Sequence, residues 1–154
     1  MGIYYARRLY RRAEWLRRCE RLLHTLSDRL TYTAAPLAAL WLSLAEDAAT
    51  ASYPLVEATA DGLRQGASFA EAFGAALDKA SASGVIRPPE QALMRELCTT
   101  LGRSDRVHQR ESLARFREQL ADVRHAAEQQ ASTRAQVYQM LGVAGGVSLA
   151  LLLL

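Results

Sequence analysis

Apolar residues recur three and four positions apart along most of the chain, the spacing of one helix face, and the alternation expected of strands is missing. Leu9, Ala13, Leu16, Cys19, Leu23, Leu26 and Leu30 make one such stripe and predict a first helix from about Ile3 to Leu30. Pro36 interrupts the pattern and suits the first turn of a second helix, because proline lacks the amide hydrogen that a helix start leaves unpaired. Leu37, Leu40, Trp41, Leu44 and Ala48 then form its buried face. Tyr53-Pro54 opens a short third helix through Leu55, Val56, Thr59 and Leu63, with Gly66 placed to close it in a left-handed cap.

Ser68 and Glu71 read as a capping box at the start of a fourth helix, which carries Phe69, Phe73 and Leu77 and closes near Ser81. After the loop from Ser83 to Pro89, a fifth helix buries Leu93, Met94, Leu97, Cys98 and Leu101, with Gly102 as its expected stop. Ser104 and Asp105 suit the start of a sixth. No proline follows, so that helix is free to run to the end of the chain. Leu113, Phe116, Leu120, Val123 and Ala127 give it a coiled-coil-like seam that requires partner helices. The expected fold is therefore all-α, a six-helix bundle whose long C-terminal helix continues into an apolar membrane segment.

That segment is read from the absence of charge between Ala135 and Leu154. Twenty uncharged residues are enough to cross a bilayer as a helix, with Gln136, Tyr138 and Gln139 at headgroup level. Within it, Gly142-Val-Ala-Gly145-Gly146 is a G-x-x-x-G pattern, in which missing side chains let a second membrane helix approach. Gly142, Gly145 and Gly146 are accordingly the expected packing positions.

The net charge of +3 conceals a local concentration, since seven arginines lie between Arg7 and Arg21. Arg7, Arg11, Arg17, Arg18 and Arg21 project away from the apolar stripe, whereas Arg8 and Arg12 fall on or beside it. Two inward guanidinium groups predict a phosphate layer nearby, so Arg7, Arg8, Arg11 and Arg12 are read as a membrane-surface contact. The positive-inside rule then sets the folded part on the cytoplasmic side. Without an aromatic stacking platform or a recognition helix, anionic lipid is favoured over nucleic acid. Arginine outnumbers lysine eighteen to one, which genomic base composition explains as readily as bidentate contacts do.

Catalytic chemistry is not expected. His24, His108 and His125 are widely separated, no H-E-x-x-H, G-x-S-x-G or phosphate loop occurs, and no carboxylate pair sits in an apolar setting. Cys19 and Cys98 lack metal or disulfide spacing, so neither a metal nor another cofactor is implied. No cleavable leader is visible before the arginines.

Three stretches carry a resemblance: Leu26-Ser-Asp-Arg-Leu-Thr-Tyr32 with Pro36-Leu37, Leu101-Gly-Arg-Ser-Asp-Arg-Val-His-Gln109, and Tyr138-Gln-Met-Leu-Gly-Val-Ala-Gly-Gly146. Together they resemble the stage III sporulation protein AB family over almost the whole chain, most specifically in the L-G-x-S-D-x-x-x-Q turn. Members of that family are similar to the cytoplasmic domain of the type II secretion system F protein, an all-helical platform of the inner membrane. The resemblance implies a scaffold of the channel-like complex between mother cell and forespore, with a secretion-type ATPase and other membrane proteins as partners. It also implies an N-terminal membrane span, of which only the exit, Gly2 to Arg8, is expected here; the acidic residue often preceding the tyrosine motif is replaced around Asp28-Arg29.

The expected organisation is thus a basic juxtamembrane helix over 1–30, a cytoplasmic helical domain over 31–134 and a transmembrane segment over 135–154. Leu101, Gly102, Ser104, Asp105 and Gln109 form the turn expected to meet a partner, although helix capping alone would account for its polarity. A platform protein of a pilus or tight-adherence system, or an anionic-membrane-binding adaptor, is the alternative reading, and a homo-oligomer stays open.

Overall fold

The computed structural model describes residues 2–103 and 105–153, with backbone alone at Gly2, Ile3, Tyr5, Arg103, Ala135, Tyr138, Gly145, Leu149, Leu152 and Leu153. The described residues form six helices and no strand: α1 (Gly2–Tyr32), α2 (Leu37–Glu46), α3 (Pro54–Arg64), α4 (Phe69–Ala82), α5 (Pro88–Arg103) and α6 (Arg106–Leu153).

The helix starts and stops follow local chemistry. Pro54 occupies the first turn of α3, and Gly66 beyond its end takes φ +91°, a conformation that costs a residue with a side chain. Ser68 and Glu71 cap α4 reciprocally: Ser68 Oγ accepts from the Glu71 amide, and Glu71 accepts from the Ser68 amide at 2.9 Å. Gly102 does not stop α5 as expected, for the helix continues through it to Arg103. Glycine ends a helix readily but does not oblige it to end, and here the turn into α6 supplies the termination.

Every member of the predicted α1 stripe from Leu9 to Leu30 is buried. Much of that stripe meets α6, which packs along α1. Arg12 bonds Gln130, Arg17 bonds Glu128 and Glu20 bonds Arg124, so numbers rise on one helix as they fall on the other and the pair is antiparallel. The coiled-coil-like seam of α6 therefore finds its partner inside its own chain. Beside this pair, Trp41 of α2 stands edge-on to Phe69 and Phe73 of α4, with ring centres 5.3 and 5.4 Å away. Its indole donates to the Val56 carbonyl at 3.4 Å, which ties α2 to α3. At Gly62 of α3, a Cβ atom would come within 2.7 Å of Ala72 Cβ on α4, so the two backbones approach only because that side chain is missing.

Beyond Ala131 the seam ends and α6 projects. All residues from Ser132 to Leu151 whose side chains are described are exposed. Among the described residues no helix is long and apolar enough to cross a membrane, so the transmembrane assignment of 135–154 finds no support there.

Candidate functional site

The L-G-x-S-D-x-x-x-Q stretch runs from the last residues of α5 into the first turn of α6. Asp105 immediately precedes α6, and its Oδ1 accepts from the His108 amide at 3.0 Å, as an N-capping side chain does. The same oxygen lies 2.7 Å from His108 Nδ1. These hydrogen bonds hold the Asp105 carboxyl below its ordinary range, and the carboxylate raises the His108 pKa in return.

Gln109 donates from its side-chain amide to the Leu101 carbonyl at 2.7 Å, satisfying an acceptor that the end of α5 leaves free. Leu101 itself is buried, while Gly102 and Asp105 are exposed; Ser104 lies outside the described residues. Sequence reasoning missed Arg106, which donates to the carbonyls of Thr33 and Ala35 at 2.7 and 2.9 Å and fastens this turn to the end of α1. No local signal marks an arginine that reaches main chain more than seventy positions away.

The basic residues separate into different roles. Arg7, Arg8 and Arg11 are exposed, and Arg8 Nε donates to the Gly84 carbonyl at 3.4 Å. Arg12, expected at the membrane surface with Arg8, turns inward instead. It donates to Glu90 of α5, and that carboxylate, not a phosphate layer, meets its charge. A Glu90 oxygen also accepts from the Arg87 amide at 2.8 Å, one half of a capping box at the start of α5. Glutamate two residues into a helix that opens on Pro88 was a visible signal for that half; its arginine partner was not.

Along the α1–α6 pair, Arg17 and Arg124 both hold Glu128 at 2.9 Å. The hydrogen bond from Arg17 is the largest of the influences that keep the Glu128 carboxyl below its usual range. His24 lies 3.6 Å from Asp28, and His125 4.0 Å from Glu128. Among the described residues no group of ligating side chains could hold a metal ion. Cys19 and Cys98 are both buried and unpaired, and burial pushes both thiols up. Gly142 and Gly146 have open space where a Cβ would stand, so neither packs against this chain.

The family model described as stage III sporulation protein AB matches residues 1–154. The chain belongs to the stage III sporulation protein AB family. Its role accordingly lies in sporulation. A solved structure titled "Stage III sporulation protein AB (SpoIIIAB)" shares the fold, with a TM-score of 0.67 and 24% sequence identity over 79% of this chain and 97% of that one. A comparison with proteins of curated function finds no match. For this family member, the candidate sites are surfaces at the two ends of the α1–α6 pair.

Proposed function

We propose that this protein is a non-enzymatic platform component of the sporulation channel complex between mother cell and forespore. It lies at the cell membrane with its helical domain on the cytoplasmic, mother-cell side, and it docks a secretion-type ATPase beside the other membrane proteins of the complex. The observation that carries this reading is the polarity of the antiparallel α1–α6 pair. Because Arg12 meets Gln130, residues before Arg12 and after Gln130 lie at one end, where exposed arginines stand beside an exposed apolar helix. Arg106 meets Thr33 and Ala35 at the other end. Between Arg12 and Tyr32 the helix rises about 30 Å at 1.5 Å per residue. One end suits a membrane, and the other is free to face a partner.

At the membrane end, Met140, Leu141, Val143, Val147 and Leu151 are exposed, with Met140 at 74%. Leaving such surface in water forgoes about 25 cal/mol for each Å² that a lipid or helical partner would cover. Gly142, Gly145 and Gly146 leave room for close approach by such a partner helix. On this reading 135–154 engages the apolar layer together with partner helices, 31–134 is the cytoplasmic part, and 1–30 serves both as packing helix and as basic membrane-facing surface.

The ATPase contact is proposed at the Leu101–Gln109 turn, with Gly102 and Asp105 outermost and Leu101 and Gln109 holding the backbone. Gly102→Trp tests it, because the position is exposed and a Cβ there meets nothing within 4 Å. Calorimetric titration of the full chain in lipid nanodiscs with the ATPase encoded beside it should give binding, weakened at least tenfold, about 1.4 kcal/mol, by Gly102→Trp. A wild-type chain that does not bind the ATPase in this setting would remove the docking function, and unchanged binding by the variant would move the contact elsewhere.

A further inference from the structure

The first turns of α1 and the turn joining α4 to α5 enclose two adjoining cavities of about 550 and 460 Å³. Arg7, Arg8 and Arg11 line the first, while Arg8, Arg12 and Arg87 line the second, and neither lining includes a carboxylate. Glu90 neutralises Arg12 from behind. Arg7, Arg8, Arg11 and Arg87 have no acidic partner among the described residues, and the one hydrogen bond from Arg8 is the long one to Gly84. Arg11 also borders a third cavity, whose lining includes Glu57 and Asp61, without an ion pair to either. Guanidinium groups crowded around one turn repel one another, and an anion placed among them relieves that repulsion.

Gly84 shapes this turn. Its φ of +69° turns the chain, and a Cβ there would fall 2.6 Å from Arg8 Nη2. The close approach of this turn converts a row of arginines on a helix into a concave site. Planar guanidinium forks match a phosphate group's oxygens two at a time.

We propose that this concave site binds the phosphate of an anionic lipid headgroup, so that the domain holds individual lipids at a defined place and not through diffuse charge alone. Two observations favour a lipid over a free phosphate. The site lies at the same end of the α1–α6 pair as the projecting apolar segment, and Tyr4, 80% exposed, stands at its rim, where an amphipathic ring suits the headgroup layer. The proposal rests on the membrane location given above.

Flotation of the full chain with vesicles of phosphatidylcholine, alone or with phosphatidylglycerol, tests both parts separately. The apolar tail supports flotation on either, and the site adds a preference for phosphatidylglycerol. Replacing Arg7, Arg8 and Arg11 together by Gln should reduce that preference on the order of a hundredfold, the summed effect of three arginines near an anionic surface. A control with Arg21, Arg110 and Arg115 replaced by Gln carries the same net charge, and should change it less than about threefold because those charges are screened from the surface. Ser83→Asp, which sets a carboxylate at the rim without altering α1, should also weaken it and serves if the triple variant does not fold.

Equal losses in the two triple variants, or none in either, would overturn the site while leaving the membrane location intact. A wild-type chain that floats with neither vesicle would overturn the location and the inference with it. Inorganic phosphate at constant ionic strength should leave the preference standing; abolition by phosphate would overturn the lipid assignment in favour of a free phosphate ligand.

Discussion

Arg12 of α1 and Glu90 of α5 stand seventy-eight positions apart and form an ion pair almost entirely out of water, with side chains 12% and 2% exposed. The arginine presents both Nε and Nη2 to one carboxylate oxygen, and the other oxygen caps α5 through the Arg87 amide. A third bond, to Gln130 at 3.4 Å, brings α6 into the same cluster.

Removing one partner leaves the other charge buried and uncompensated. Arg12→Ala is expected to destabilise the protein by about 3–5 kcal/mol, and replacing both residues together, Arg12→Met with Glu90→Leu, should recover most of that loss. Urea unfolding of the three variants checks this; a double variant as weak as the single one would show that the lost packing matters more than the charge.

Glycine matters here by position and not by count. Gly62→Ala forces a Cβ to 2.7 Å from Ala72 Cβ and should cost about 1–3 kcal/mol through separation of α3 and α4. Gly102→Ala meets open space inside a helix and should stabilise by up to about 1 kcal/mol. Thermal midpoints moving in opposite directions would support both; a neutral Gly62→Ala would mean that the α3–α4 contact yields without loss.

Thr59 is fully buried in α3, and its hydroxyl finds no hydrogen-bond partner among the described residues. Thr59→Val keeps the shape and removes the unpaired group, so it should raise stability by about 1–3 kcal/mol. Chemical denaturation that showed a loss instead would contradict the idea of an orphaned hydroxyl.

The Asp105–His108 contact predicts a pH window for the start of α6. Asp105 is lowered in the folded state, so its contribution is present above its unfolded pKa and fades as pH falls through the folded value. His108 is raised, so its contribution is complete below its unfolded pKa, about 6.5, and is lost as pH rises through the higher folded value. NMR titration should find His108 above its ordinary pKa, and Asp105→Asn should return it toward that value. A His108 pKa unmoved by Asp105→Asn would rule out the contact as its cause.

The order and type of the six helices were legible in the sequence because their causes are local. Apolar residues spaced three and four apart marked the buried faces, Pro54 and the Ser68–Glu71 pair marked starts, and Gly66 marked a stop, each within one turn of the residue it governs. The family resemblance was legible too, since it rests on short motifs. Tertiary structure alone decided which helix answers the seam of α6, where the charge of Arg12 ends, and that Gly84 folds a turn over Arg8. It also decided that the glycines at 142 and 146 face open space. Those outcomes depend on which distant surfaces meet, and periodicity along one helix records that a face will be covered without recording by what.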